Sequence, residues 1–350
     1  MPGMWRAALA LIMVTAPALA QEAVISSKPI VIAHRGASGE RPEHTLAAYS
    51  LAIEQGADFI EPDLVMTRDG QLVARHENDI TDTTDVASHP EFKDRKTSKT
   101  IDGTRHNGWF TEDFTLAELK TLRAKERLPL IRRGNTTYDG QFEVPTLREV
   151  IALAKSASAK SGRTIGIYPE TKHPTYFAGI GLPLEAALVA ELKAAGWDRA
   201  DAPVFIQSFE VNNLKALRQL TRVPLIQLLD AEGGPADGAQ PSYAAMITPE
   251  GLKAVAAYAT GIGPAKAMVV KGDGTVTPLV ADAHAAGLKV HPWTLRAENF
   301  FLPSGLRDGI NPAGHGRLNE EISRHLAAGV DGFFTDFPYQ GVEARDRHVR

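Results

Sequence analysis

Glu61 and Asp63 stand two apart in the apolar run 59–65. Residues i and i+2 of a strand face the same side, so both carboxylates would meet at one place. Adjacent carboxylates are costly unless a cation or a proton joins them. Glu170, at the end of another apolar run, can complete a ring of three. Oxygen-only ligands suit a hard divalent cation. The rival explanation is plain ion pairing with Arg35, Arg75 or Lys172. His34 closes the run 30–33 and is followed by Arg35 and Gly36. Such a histidine transfers protons near neutral pH, or it is a hydrogen-bonded structural residue. His76 lies beyond an Asp69-Gly70 turn and a short strand pattern, an excursion that can return it to the same place. Two histidines allow one base and one acid. Arg35 and Lys172 beside a hard cation make a positive trap of the kind phosphoryl chemistry requires. His291 also ends an apolar run, but Pro292 follows it, and it reads as a support residue.

Elements must bring these groups together. Apolar runs at 30–33, 59–65, 164–168, 204–207, 225–229, 267–270, 288–290 and 332–335 read as strands. Helical spacing is expected at 44–54, 147–160, 184–195, 211–220, 249–259, 278–286 and 319–328, several ending in a glycine before the next strand. Eight strands alternating with helices predict an α/β fold, a (β/α)8 TIM barrel with a parallel eight-stranded sheet. In such a barrel the C-terminal strand ends carry the chemistry. Residues 77–145 are polar and irregular and read as an insertion on the rim after the second strand, with a short helical pattern at 116–122. A doubly wound open sheet is the rival, weakened because no G-x-G-x-x-G sits in the first strand–helix turn.

Composition limits the chemistry further. The chain has 350 residues, no cysteine and a net charge of −4. Thiolate nucleophiles, disulfides and thiolate zinc sites are excluded. Near neutrality leaves no electrostatic footprint for nucleic acid. P-loop, HExxH and G-x-S-x-G motifs are all missing. Residues 1–20 combine Arg6, a short apolar run and a final Ala18-Leu19-Ala20, the pattern of a cleavable signal peptide. The expectation is an exported, periplasmic protein whose mature chain, 21–350, is a single domain without an integral membrane segment. No amphipathic seam reveals an oligomeric state.

At this point the sequence resembles a known family. The segment HRGASGERPEHTLAAYSLAIEQGADFIEPDLVMTRDGQLVARHE, residues 34–77, is similar to the signature of the glycerophosphodiester phosphodiesterases. YPETKHP at 168–174, QSFE at 207–210, HPWTLR at 291–296 and GVDGFFTDFP at 329–338 continue the likeness in order. The resemblance covers essentially all of 21–350, and the segment after His76 is like that of longer periplasmic members. It implies a TIM barrel and metal-dependent hydrolysis of glycerophosphodiesters, such as glycerophosphocholine and glycerophosphoethanolamine, to sn-glycerol 3-phosphate and an alcohol. His34 and His76 match the acid and base. Glu61, Asp63 and Glu170 match ligands of one divalent cation, with Ca²⁺ favoured over Mg²⁺. Arg35 and Lys172 match phosphate contacts, and Phe209 and Trp293 match apolar walls near the glycerol. Glu43 holds the acidic position before His44, orienting Arg35 or capping the next helix. Two departures, Pro62 between the carboxylates and His44 where many members carry Asn, read as leaving every catalytic position untouched.

The alternative is a lipid-directed phosphodiesterase on the same barrel, cleaving lysophospholipid or phosphoinositide head groups. An exposed apolar rim would favour it, and Trp109 and Phe110 are the candidates within 77–145. A non-catalytic exported binding protein is a further rival, and loss of a histidine or carboxylate would signal it. All of them are present.

Overall fold

A computed structural model describes residues 28–239 and 241–349. The expected leader at 1–20 lies outside the described residues. Strand β1 (Ile30–His34) leads through a turn to a helix at Leu46–Glu54, capped by the Thr45 hydroxyl on the Ala48 amide. Thr45 is thus the cap, and Glu43 is free for another partner. Strands β2 (Phe59–Glu61) and β3 (Asp63–Met66) follow, and β4 (Leu72–Ala74) returns antiparallel to β3.

The single strand expected at 59–65 is therefore broken, and Pro62 is the reason. Proline has no N–H to give the ladder, but its carbonyl accepts from the Glu170 amide at 3.0 Å. Just past the next expected strand, 164–168, Pro169 makes a like interruption before Glu170–Thr171, and its carbonyl accepts from the Gln207 amide at 2.9 Å. The chain keeps its direction through both interruptions.

The polar stretch 77–145 contains more order than its composition suggests. Strands β5 (Thr97–Ile101) and β6 (Thr104–Gly108) form an antiparallel hairpin. Asp102 and Gly103 make its turn, both at positive φ (48° and 80°), a geometry that Asp-Gly supplies readily. Trp109 and Phe110 are buried, not exposed, and the Trp109 indole donates to the Phe92 carbonyl at 2.7 Å. The apolar rim they were candidates for is not built from them.

The remaining strands are β7 (Gly166–Ile167), β8 (Glu170–Thr171), β9 (Ile206–Ser208), β10 (Leu225–Leu229), β11 (Gly261–Pro264), β12 (Lys289–Val290) and β13 (Gly332–Thr335). The strand expected at 267–270 is displaced. It lies at Gly261–Pro264, and Lys266–Met268 is a 3-10 turn. Crowding explains the glycines of β11: a Cβ on Gly263 would approach a Leu228 methyl to 2.6 Å. Small residues thus fill a strand position where the apolar pattern favoured Val269 and Val270. The helix at Pro338–His348 was not anticipated.

The strands join in two hydrogen-bonded sets, β13-β1-β2-β7 and β12-β11-β10-β9-β8-β3-β4, parallel except for β3–β4. Further bonds run between the seventh and eighth strand regions: Asp331 N–H to Val290 O and Phe334 N–H to Pro292 O, both 3.0 Å. Ile32, Tyr168, Ile226 and Phe334 pack together inside the strands with essentially no exposure. Burying each such side chain is worth about 1.5–3 kcal/mol. Helices cover the outside, and Leu184, Leu188 and Leu192 show why: one buried side chain every four residues gives Leu184–Ala194 an apolar stripe toward the strands. No helix among the described residues is long and apolar enough to cross a membrane.

Candidate active site

Register brings the carboxylates together. Glu61 pairs with His34 across β1–β2, Asp63 with Glu170 across β3–β8, and Glu170 with Gln207 across β8–β9. Glu61, Asp63 and Glu170 are all buried, and each offers an oxygen within 4.8 Å of the others. Burial pushes all three carboxyls up, helped for Glu61 and Glu170 by repulsion from their neighbours; Glu170 rises to about 8 against the pull of Lys172. Asp63 Oδ1 is buried with no hydrogen-bond partner. A hard divalent cation fits this donor set: oxygen ligands, an orphaned carboxylate atom and uncompensated negative charge.

The cationic groups sit beside the ring. Arg35 has a positive φ of 60°, which turns its amide onto Glu61 Oε2 at 2.8 Å while its guanidinium lies against Glu43 at 3.0 and 3.2 Å. Although burial opposes it, Glu43, Asp63 and Glu61 hold Arg35 charged. Glu43 therefore orients Arg35. Arg75 instead donates to the backbone carbonyls of Glu43, His44, Thr83 and Ala74 and takes no part in neutralising the ring. Lys172 Nζ lies 3.2 Å from Glu170 and is likewise held charged by it, against burial.

His34 is buried, and its Nδ1 meets Asp336 Oδ1 at 2.5 Å, which leaves Nε2 as the free nitrogen. Burial, reinforced by Arg35, pulls the imidazole down to about 3, so the neutral form prevails near neutral pH. Asp336 in turn meets Arg296 at 2.8 Å and the guanidinium of Arg132. His76, on the loop after β4, is only half-buried, and its Nδ1 contacts Glu77 at 3.0 Å. One cavity of about 220 Å³ is lined by His34, His76, Glu61, Glu170, Arg35 and Lys172, with Phe209 and Trp293 opposite. The two aromatic rings meet edge to face at 5.7 Å.

Three residues of the site lay outside the sequence expectation. His44, read as touching nothing catalytic, donates from Nε2 to Asp63 at 3.0 Å and receives the Tyr49 hydroxyl at Nδ1, 2.8 Å. Its left-handed φ of 54° aims the ring inward, a feature no spacing rule reveals. Gln207 donates to Glu61 at 2.8 Å. Asp336 follows β13 next to His34, and its signals were its place just past a strand end and within the 329–338 segment of the family likeness. The 77–145 stretch, whose role was open, supplies Arg127 to Glu43 and Arg132 to Asp336 and Glu298. His291 Nδ1 bonds the Tyr168 hydroxyl at 2.8 Å inside the strands, away from the cavity lining.

Residues 34–340 match the glycerophosphoryl diester phosphodiesterase family. A glycerophosphodiester phosphodiesterase of Arabidopsis thaliana is 39% identical over 333 residues, 89% of this chain and 84% of its own. One from Haemophilus influenzae is 32% identical, covering 91% and 90%. Among solved structures, an Oleispira antarctica phosphodiesterase in complex with the product sn-glycerol-3-phosphate aligns with a TM-score of 0.62 at 23% identity, over 91% of this chain and 97% of that one.

Proposed function

From the premise that this chain belongs to the glycerophosphodiester phosphodiesterase family and is an enzyme of that class, we propose that it releases sn-glycerol 3-phosphate from glycerophosphocholine, glycerophosphoethanolamine and related small diesters. One observation carries the reading: two imidazoles, a carboxylate ring and two cationic side chains line a single cavity. The family depends on a divalent metal, and Glu61, Asp63 and Glu170 would hold one here, with Ca²⁺ favoured over Mg²⁺. When bound, the ion would supply Lewis-acid polarisation of the phosphodiester.

The chain's own groups do the rest. Arg35 and Lys172 face the phosphoryl oxygens, where negative charge develops. His34 and His76 divide the proton work. One takes the proton of the attacking oxygen, of water or of the glycerol 2-hydroxyl, as its bond to phosphorus forms, and the other gives a proton to the departing alcohol oxygen as that P–O bond breaks; where the 2-hydroxyl attacks, water then opens the cyclic phosphate. Phe209 and Trp293 shield the glycerol side from water. A second cavity of about 330 Å³ shares Glu170, Lys172, Phe209 and Asp230 with the first and adds Glu210, Glu232 and Tyr243. Carboxylates and an aromatic face suit a cationic alcohol such as choline, and burial of Trp109 and Phe110 removes the main argument for a lipid surface.

The scaffold we propose is a closed eight-stranded TIM barrel, supported by the bonds from the seventh strand region to β13, with 77–145 as an insertion and 21–350 as one domain. Export to the periplasm is proposed from the pattern of residues 1–20.

The test is release of glycerol 3-phosphate from glycerophosphocholine, with and without EDTA, after re-addition of Ca²⁺ or Mg²⁺, and with the His34→Ala variant. Release that is lost in EDTA, restored by a cation and missing in the variant is expected. Folded protein that releases nothing with either cation overturns the reading.

A further inference from the structure

Glu77 follows His76 in sequence and uses both carboxylate oxygens. Oε1 lies 3.0 Å from His76 Nδ1, and Oε2 lies 2.7 Å from Nε2 of His173. His173 stands just after β8 at a left-handed φ of 48°. Its other nitrogen, Nδ1, reaches Asp102 at 2.5 Å. Asp102 is the turn residue of the β5–β6 hairpin, 71 positions away in the chain. An imidazole with a carboxylate on each nitrogen donates from both, and these bonds raise His173 to about 9 against burial. Glu77 is thereby fixed on two sides, and its plane determines which way the His76 ring turns.

Resting on the reading that His76 transfers a proton in the reaction, we propose that the β5–β6 hairpin positions His76 through the chain Asp102–His173–Glu77, which makes these three residues positioning residues of catalysis. The inserted segment then reaches the proton-transfer machinery, not only its outer support. A carboxylate 3.0 Å from Nδ1 favours the imidazole tautomer that carries its proton there, and so biases the ring of His76.

The experiment uses the full mature chain with bound cation. Glu77→Gln and Asp102→Gly are compared with His76→Ala; glycine keeps the left-handed turn while removing the carboxylate. For Glu77→Gln, kcat is expected to fall about 10- to 100-fold with KM within about twofold, the usual loss when an outer hydrogen-bond partner is removed. Asp102→Gly should lower kcat in the same direction but less, and Asp102→Asn, which keeps an acceptor oxygen, should recover part of it. Melting temperature and cation affinity should hardly move. Unchanged kcat in both Glu77→Gln and Asp102→Gly, beside an inactive His76→Ala, overturns the proposal, as does a loss confined to KM. Nitrogen-15 resonances of the His76 ring give a readout independent of turnover. An Nδ1–H tautomer that is lost in Glu77→Ala supports the chain, and a tautomer indifferent to that change refutes it. A wild-type protein that releases no product defeats the functional reading, while the resonance experiment still decides the network.

Discussion

Two histidines face the same cavity from unlike surroundings. His34 closes β1, is buried, and leans on Asp336, which is itself gripped by Arg132 and Arg296. His76 sits on a loop, is half-exposed, and leans on Glu77, whose other partner is His173. The first dyad is enclosed by buried charges that pair among themselves, Arg132 also with Glu298. The second is open to solvent and shared with a mobile class of structure, a loop and a hairpin turn. The difference teaches that one imidazole is anchored within a buried charge cluster while its counterpart is anchored at the rim, so that the two anchors should weigh differently on stability.

The largest expected effect erases the distinction. His34→Ala and His76→Ala should each lower the release of glycerol 3-phosphate by about 10²–10⁴-fold, the range for a lost acid or base. An assay in which only one variant is impaired would break the symmetry of roles. Stability should then separate the two dyads. Asp336→Ala removes the carboxylate shared by His34, Arg132 and Arg296, leaving buried Arg132 only Glu298, and should cost about 3–5 kcal/mol in denaturant unfolding. Glu77→Gln, at a partly exposed pair, should cost under about 1 kcal/mol. Equal losses would mean that the rim dyad is as structural as the buried one.

Removing the cation probes the ring between the dyads. At a cation concentration 100 times its Kd, stabilisation is about 2.7 kcal/mol, so EDTA should lower the melting temperature accordingly. On the proposal that the carboxylates and not the imidazoles hold the ion, the shift should persist in His34→Ala and His76→Ala and vanish in Glu61→Gln. The smallest effect is in pH. His173 is raised to about 9 in the folded chain, above its ordinary value of 6.5. The folded state therefore binds the proton more tightly. Its contribution is complete below about 6.5 and is lost as pH rises through about 9. Both carboxylate partners reach solvent, so the loss should be at most about 1 kcal/mol. Melting temperatures of wild type and His173→Asn should converge above pH 9; parallel curves would show that the His173 bonds do not form.

Much of this was legible because the signals are local. Glu61 and Asp63 share a face by strand periodicity alone, and the α/β alternation follows from apolar runs and glycine stops. Other elements were hidden for definite reasons. β11 is built of Gly261, Ile262, Gly263 and Pro264, a poor strand by propensity, because neighbouring side chains leave no room for larger residues. The Asp102-Gly103 turn was a readable hairpin signal, but its flanking strands are polar and lack the apolar alternation that marks a strand. His44 could be aimed at Asp63 only by a backbone angle that its side chain does not announce.

Sequence by itself determined which chemical groups exist and the spacing that sets Glu61 and Asp63 on one face. It also determined what is impossible, thiolate chemistry foremost. Only the tertiary structure decided who holds whom: Arg132 on Asp336 across 204 positions, Gln207 on Glu61 across 146, Asp102 on His173 across 71. The reason is physical. Periodicity and turn chemistry act within a few residues, whereas a buried charge takes whichever opposite charge the packing brings within about 3 Å, wherever in the chain that partner lies.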